Sequence, residues 1–304
     1  MTGAAGVENE FLLWCVRTSH QWDPLGLAVA GAMATIFGVA LWRGRGAKRV
    51  ARATSFGAGL GVLVLALWSP LHDHGHWSFA AHMAQHVILI AIVPPLILLA
   101  RPGLAVREAL PRSWVRGVAP VFAAGASARR RALSGPGRVC IALAHVAVLW
   151  IVHAPVVYEA ALFDPTLHFI EHLALIGSAY AVWWAAMTAP AVRAGGSVLG
   201  LALSGAAGAV LATLIIVSPT EWAAAHNPAA VGLPLTPAED QQLGGGIMVL
   251  VGSVVWTLAA ATCFVRWLRA VEQRQAVREQ RVRAGTGAGA SADPAVGLAH
   301  RDVT

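Results

Sequence analysis

The sequence predicts an all-α, polytopic membrane protein, a bundle of seven transmembrane helices, and three observations lead to this fold class. Of its 304 residues, 57% are hydrophobic and only 12% are charged, and the mean hydropathy of +0.63 exceeds what a soluble domain needs for its core. Seven apolar runs are each long enough to cross a bilayer, which takes about 20 residues of helix. Finally, Lys and Arg are sorted between the two sides of these runs.

The seven predicted spans together form a membrane domain over 24–265. The first is expected to direct insertion itself, because the apolar run 11–16 is too short for a signal peptide and acidic residues precede it. Each later span is separated from the one before by a charged, polar or proline-containing connection. In order, the spans lie at about 24–42, 54–71, 78–100, 138–157, 167–189, 195–218 and 243–265.

The distribution of positive charge predicts the orientation of the bundle. Of the 22 Lys and Arg residues, 21 fall in the connections on one side and in the tail, and only Arg17 falls on the other. The positive-inside rule makes the basic side cytoplasmic. The N-terminal segment 1–23 is then external. The tail 266–304 is cytoplasmic, a basic helix to about residue 283 and disordered at its Ala/Gly-rich end.

Charge and cysteine content exclude several classes of function. The net charge of +7 follows from the sorted cytoplasmic loops, so we expect no nucleic-acid partner. Cys15, Cys140 and Cys263 are far apart and form no CxxC pair, which indicates neither a disulfide framework nor a thiolate metal site. Any metal must therefore be held by imidazole, carboxylate or thioether groups.

The histidines are concentrated on the predicted outer side. Ten of the twelve lie there, the exceptions being His145 and His300. Two fall in the first turns of the third span, one near the outer end of the fourth, and two in the first turns of the fifth. Helix geometry places these five imidazoles in one slab of the outer leaflet, which predicts a metal site built from His82, His86, His153, His168 and His172.

The third and fifth spans also open alike, with His82-x-x-Gln85-His86 and His168-x-x-Glu171-His172. Residues one turn apart share a helix face, so Gln85 and Glu171 are placed to orient an imidazole or to complete a coordination sphere. Imidazole and carboxylate favour zinc, copper(II), iron or nickel, whereas a thioether favours copper(I). Met248, early in the seventh span, lies at a plausible depth to supply one.

Other polar residues on this side have two interpretations each. His72, His74 and His76 alternate in a short external connection, where they either capture metal before its transfer inward or are simply solvated. Asp240 opens the seventh span as a helix cap or as part of the site. Tyr158 and Trp150 flank His153 as site residues or as interfacial belt residues.

Isolated histidines are predicted to be ordinary polar residues, satisfied by water or by a neighbouring helix. This interpretation applies to His20, His226 and His300. His145 lies near mid-membrane, where an ionisable residue is expensive and tends to be functional. For His145 a structural and a functional role are both open.

Taken together, these motifs resemble the multi-pass CtaG-type assembly factors of bacterial cytochrome c oxidase. The resemblance covers about 70–256 and depends on the ordered combination of motifs. These are His82-Met83-x-Gln85-His86 followed by Pro94-Pro95 and Arg101-Pro102, Trp150-x-x-His153-x-Pro155-x-x-Tyr158, His168-x-x-Glu171-His172, Trp183-Trp184 with Pro190, and Asp240-Gln241-Gln242 with Gly245.

The resemblance implies a seven-span protein of the bacterial plasma membrane that is needed to form active haem–copper oxidase, with a role in supplying copper. Its implied partners are cytochrome c oxidase subunits, periplasmic or extracellular copper chaperones, and membrane lipid. Carried over by position, the implied metal residues are the five histidines of the slab, and the implied supporting residues are Gln85, Glu171 and Asp240. Tyr158, beside His153, and Met248, by its depth, are added as supporting residues from their positions.

Three functions fit these residues. A non-enzymatic copper-binding assembly factor explains the many histidines and the lack of a convincing nucleophile. A seven-span metallohydrolase would use zinc, because His168-x-x-Glu171-His172 fits the inverted zinc-protease pattern with glutamate as the base. A bis-histidine haem protein would take one axial ligand from each of two helices.

Overall fold

The computed structural model describes residues 31–39, 49–104, 111, 113–114, 116–117 and 125–290. Across these residues the secondary structure is helical and contains no strand, as the predicted fold class requires. The predicted external segment 1–23, with His20, and the end of the tail beyond 290, with His300, lie outside the described residues.

The helices are numbered here in chain order. They are α1 (31–39), α2 (Arg49–Leu67), α3 (Pro70–Gly75), α4 (Phe79–Val87, continued through a π-helical turn at Ile88–Ile92 into Val93–Leu99), α5 (Ala126–Ala132), α6 (Gly135–Val152), α7 (Pro155–Phe163), α8 (Pro165–Met187), α9 (Gly195–Val217) and α10 (Pro237–Ile247, continued through a π-helical turn at Met248–Gly252 into Ser253–Ala290). Short 3₁₀ turns lie at Ala191–Arg193 and Pro228–Val231.

Within the described part of the chain, six helices are long and apolar enough to cross a membrane. They are α2, α4, α6, α8, α9 and α10, and they correspond to the second to seventh predicted spans. The first predicted span, 24–42, is described only over the helical residues 31–39. The protein is therefore a multi-pass helical membrane protein, while the first predicted span, and with it the total of seven, and the orientation stay predictions.

Two predicted spans end earlier than expected because a proline starts a new helix inside each. The second, predicted to reach 71, ends at Leu67, since the Ser69 side chain accepts a hydrogen bond from Leu71 N at 3.1 Å and caps α3. The fourth, predicted to reach 157, ends at Val152, and Pro155 occupies the first turn of α7. Proline is favoured at that position, where its missing N–H costs nothing.

The last helix starts earlier and ends later than the sequence pattern indicated. It begins at Pro237 rather than near 243, because Thr236 and Glu239 form a capping box ahead of it. It continues without interruption to Ala290, past the predicted end near 283.

Glycines bring the start of α10 close to two other helices. A Cβ atom at Gly244 would lie 2.5 Å from Phe79 Cδ1 in α4, and one at Gly245 would lie 3.0 Å from the Ala212 carbonyl oxygen in α9. Small residues allow such close helix approach in membranes. This packing sets the first turns of α4 and α10 side by side, at the end of the bundle where the histidines lie.

Both π-helical turns begin about two and a half to three turns beyond the start of a helix at that end. In α4 the turn begins two residues after His86, and the Trp183 indole N–H donates to the Ile90 carbonyl at 2.9 Å. In α10 the turn begins at Met248. Turns of this kind occur frequently at functional sites, because they shift the register of the side chains around them.

Candidate metal centre

All five imidazoles predicted to form a site lie together in one buried cluster. The start of α4 supplies His82 and His86, the start of α8 supplies His168 and His172, and the end of α6 supplies His153. Each side chain is at most 8% exposed. Ring centroids are 4.4 Å apart for His82 and His86 and for His168 and His172, 5.3 Å for His82 and His168, 5.2 Å for His86 and His172, and 5.3 Å for His86 and His153.

Two of the three alternating histidines near residue 74 also reach this cluster. The segment is a short helix, α3, and not the predicted loop, so His72 and His76 project to one side and His74 to another. Ring centroids of His72 and His76 lie 6.0 and 5.5 Å from that of His168. The Gln85 amide contacts His72 Nδ1 at 3.1 Å, whereas the His74 ring is bonded to the Pro70 carbonyl within α3. His74 thus lies outside the cluster.

Backbone carbonyls fix the orientation of two of the rings. His82 Nδ1 lies 3.2 Å from the Gly75 carbonyl oxygen, and His153 Nδ1 lies 2.7 Å from that of Leu149. A carbonyl only accepts, so each Nδ1 carries the proton and each Nε2 presents its lone pair. Metal-binding histidines are usually held this way, with the second ring nitrogen donating to a carbonyl or carboxylate.

The cluster contains an unusual number of buried polar atoms that have no hydrogen-bond partner. Leaving such an atom unsatisfied costs about 1–3 kcal/mol, and native proteins contain few of them. Here they are Nδ1 of His86, Nε2 of His153, His168 and His172, and both carboxylate oxygens of Glu171. A bound cation would satisfy these lone pairs.

Two groups of three side chains have ligand atoms that all lie within 4.8 Å of one another. One group is His82, His86 and His172, and the other is His82, His168 and Glu171. Glu171 Oε1 is also 3.6 Å from His86 Nε2. The donor set of imidazoles with one carboxylate is chemically suited to a transition-metal ion.

Asp240 is a structural cap and not a member of the cluster. Its carboxylate is fully buried and accepts hydrogen bonds from Ser78 Oγ at 2.7 Å, Phe79 N at 2.6 Å and Ala80 N at 3.2 Å. These are groups at the start of α4 that the helix itself cannot satisfy. Of the two interpretations offered by the sequence, capping is the one this geometry supports, although the helix capped is α4 and not α10.

Tyr158 and His226 form a hydrogen-bonded pair at the edge of the cluster. The Tyr158 hydroxyl lies 2.9 Å from His226 Nε2, and their ring centroids lie 5.1 and 6.3 Å from that of His82. Burial, and then the Glu171 and Asp240 carboxylates, raise the pKa of Tyr158, while burial and then His76 lower the pKa of His226 to about 3. Both groups are therefore neutral at physiological pH.

From the sequence, His226 is predicted to be an ordinary polar residue satisfied by water or by a neighbouring helix. The partner exists, but it places His226 beside the cluster. The segment that carries His226 is tied down by Gln241, whose Oε1 accepts from Trp222 N at 2.6 Å and whose Nε2 donates to the Ile215 carbonyl at 2.9 Å. Trp222 Nε1 in turn donates to the His153 carbonyl at 2.6 Å. The sequence feature that could have identified His226 is its position in the connection between the sixth and seventh predicted spans, on the same side of the membrane as the other histidines.

Met248 and His145 lie deeper than the cluster. Both line a cavity of about 30 Å³ that also touches His86 and His153, room enough for a water molecule. His145 Nδ1 is 2.9 Å from Ser178 Oγ, so His145 is satisfied by a neighbouring helix and stays outside the cluster. Met248 places a thioether beside the cavity.

A buried, imidazole-rich candidate metal site at one end of a helical bundle defines a class of multi-pass membrane protein suited to handling a metal ion. A family model described as cytochrome c oxidase caa3 assembly factor (Caa3_CtaG) matches residues 35–270. The chain belongs to this family of cytochrome c oxidase assembly factors, which confirms the resemblance found in the sequence. No curated protein and no solved structure matches the chain.

Proposed function

We propose that this protein binds copper at the histidine cluster, on the outer face of a bacterial plasma membrane, and supplies it to the nascent haem–copper oxidase. The observation that carries the proposal is the set of buried ring nitrogens without partners, beside rings whose lone pairs are fixed by the Gly75 and Leu149 carbonyls. Because the chain belongs to an oxidase assembly family, the expected recipient of the metal is the oxidase.

Copper fits the surroundings of the cluster better than haem does. The rings contact one another from several directions at 4.4–6.0 Å, which leaves no slot for a flat macrocycle, and the cavity beside His86 and His153 is about 30 Å³. The Met248 thioether adjoins this cavity, and a soft ligand beside imidazoles favours copper(I). The family's role in oxidase assembly points to a cargo ion and to no catalytic step.

The proposal is tested by the metal content of the full-length protein, purified in detergent without chelator. Wild type is expected to retain copper, and His86→Ala and His172→Ala to retain at least tenfold less. His74→Ala is the matched control, since His74 lies on α3 outside the cluster and should bind as wild type does. An absence of copper from the wild type, or unchanged binding in both cluster variants, contradicts the proposal.

A second measurement connects the site to the oxidase. In a host whose oxidase depends on this protein, His172→Ala should lower oxidase activity in membranes at least tenfold, and copper added to the medium should restore part of it. His74→Ala should have no effect. Loss of activity that no copper concentration restores would argue for a role other than copper supply.

The expected partners are the oxidase subunits that receive copper and, upstream, periplasmic or extracellular copper chaperones. The cluster lies at the end of the bundle that positive-inside counting assigns to the outside. Chaperones on that side would reach it past α3, where His72 is only partly buried.

A zinc hydrolase is the second candidate, because the cluster supplies the third ligand that its sequence motif lacks. The His82 ring centroid lies 5.3 Å from that of His168 and 6.0 Å from that of His172, so His82 would be the third ligand and Glu171 the base. In this alternative the zinc-loaded protein cleaves a peptide or ester, and Glu171→Gln abolishes cleavage while zinc stays bound. Zinc-loaded wild type without hydrolytic activity excludes it.

A further inference from the structure

We infer that the cluster holds two copper ions at once, in two tiers at different depths along the bundle. The inference rests on the proposed function and adds the number of ions, their ligands and the order in which they enter. The shallow tier is His82, His168 and Glu171, and the deep tier is His86, His153 and His172.

Helix geometry separates the two tiers. His86 lies one turn further along α4 than His82, and His172 lies one turn further along α8 than His168, so each pair is about 6 Å apart along its helix axis. The two helices start at the same end of the bundle, and their rings face each other level by level. Centroids are 5.3 Å apart between His82 and His168 and 5.2 Å apart between His86 and His172.

The shallow tier has a complete set of ligands of its own. The ligand atoms of His82, His168 and Glu171 lie within 4.8 Å of one another, and His168 Nε2 and both Glu171 oxygens have no hydrogen-bond partner. His82 contributes only Nε2, because the Gly75 carbonyl holds Nδ1. One nitrogen binds one ion, so an ion held here takes His82 away from any other.

The deep tier retains three imidazoles without His82. Nε2 of His153 and Nε2 of His172 are buried without partners, as is Nδ1 of His86. Ring centroids of His153 and His172 lie 5.3 and 5.2 Å from that of His86. Two imidazoles that share one ion at metal–nitrogen distances of about 2.0–2.1 Å have ring centroids roughly 5–5.5 Å apart, so the spacing of His86 from each of the other two rings fits an ion shared by that pair.

The two tiers are adjacent, so an ion that enters at the shallow tier can move on to the deep tier. His82 Nε2 and His86 Nε2 are 2.9 Å apart, and the group His82, His86 and His172 takes ligands from both levels. An ion can therefore pass from shallow to deep ligands by exchanging one imidazole at a time. His72 and His76, within 6.0 Å of His168, lie beside the shallow tier only.

The ligands also differ in kind between the two levels. The carboxylate belongs to the shallow tier, whereas the Met248 thioether lines the cavity that touches His86 and His153 of the deep tier. Softer surroundings favour copper(I) over zinc, so the deep ion should be the more selective of the two. Met248→Leu is expected to lower the copper(I) affinity of one bound ion and leave the other unchanged.

The deciding experiment is the stoichiometry of copper(I) bound to the full-length protein. Equilibrium dialysis under anaerobic conditions, against a copper(I) chelator of known affinity, should give two ions per chain. His153→Ala and His168→Ala should each give one, and the double variant none. His145→Ala, another buried histidine on α6, and His74→Ala are the controls and should both keep two.

The outcomes separate this inference from the proposed function. One ion in the wild type overturns the two tiers and leaves the copper site intact, whereas no ion overturns both. A fall from two ions to none in either single variant also overturns the inference, because such a loss would show that all the ligands form a single site. His153→Gln and His168→Gln, with thermal unfolding recorded for each, replace any alanine variant that does not fold.

Discussion

At the scale of single residues, Asp240 shows how a carboxylate close to a candidate metal site can be wholly structural. Both of its oxygens accept hydrogen bonds from the start of α4, so neither is left for an ion. The residue acts on the site by fixing the turn from which His82 and His86 project.

Asp240→Ala is predicted to destabilise the protein on the order of 3 kcal/mol, because it leaves three buried donors without an acceptor. Asp240→Asn keeps one acceptor oxygen and should cost less. Chemical unfolding of the detergent-solubilised protein measures both. Glu239→Ala removes the neighbouring exposed carboxylate, which belongs to the capping box of α10, and as the comparison it is expected to cost only as much as the loss of a helix-cap interaction. Equal effects of the Asp240 and Glu239 changes would show that the α4 cap is unimportant.

The residues of the cluster were largely predictable, because the rules involved are local. Histidines four apart share a helix face whatever surrounds them, and charge sorting fixes which helix ends meet. His226 was not recognisable, since its place depends on Gln241 holding Trp222 across 19 residues of chain. The sequence also did not show that His72 and His76 join the cluster while His74 does not. That difference depends on the short helix α3, which Ser69 and Pro70 start.

At the scale of secondary-structure elements, the start of α10 is the closest-packed surface near the site. Gly244 faces Phe79 of α4, and Gly245 faces Ala212 and Ile216 of α9, whereas nothing described lies within 4 Å of a Cβ placed on Gly246. The three consecutive glycines thus offer a graded test of packing within one helical turn.

Gly244→Ala and Gly245→Ala are each predicted to destabilise the protein by about 1–3 kcal/mol, as overpacking does. Gly246→Ala should be neutral, or stabilising by up to about 1 kcal/mol, since alanine is the better helix former. Thermal unfolding of the three variants provides the comparison. Gly244→Ala should also weaken copper binding, because it pushes on Phe79 at the start of α4. Three equal shifts would contradict the packing described for this turn.

Hydropathy located the membrane-crossing helices but could not reveal their internal breaks. The apolar pattern runs unchanged through the π-helical turns at Ile88–Ile92 and Met248–Gly252, so nothing in composition marks them. Pro155 was visible in the sequence, yet the apolar residues around it kept the predicted fourth span continuous. The structure instead ends α6 at Val152 and leaves His153 at its cap, with Nδ1 on the Leu149 carbonyl.

At the scale of the whole molecule, the two ends of the bundle differ in chemistry. The helices that begin with histidines run toward basic connections, such as those containing Arg101 and Arg193. Among the described residues of the cluster, Glu171 is the one acidic side chain, and neither Lys nor Arg is present. No positively charged side chain among these residues would therefore repel a cation bound by the ring nitrogens.

The predicted orientation, with the N-terminus outside and the C-terminus inside, is testable with reporter fusions. Alkaline phosphatase fused after α3, near residue 76, should be active, because that reporter folds only outside the cytoplasm. The same enzyme fused after Ala290 should be inactive, and a fluorescent protein fused there should be bright. The reversed pattern would place the cluster on the cytoplasmic side and require copper to come from within the cell.

The hydrogen bond between the two rings that open α4 has a consequence for metal loading. His82 Nε2 accepts the proton of His86 Nε2, because the Gly75 carbonyl fixes the other proton of the pair on His82 Nδ1. His82 Nε2 can bind an ion only after this bond opens, so entry of an ion into the shallow tier requires the His86 N–H to give up its acceptor. An ion bound to His82 thus releases the His86 ring from its partner, which couples the two tiers.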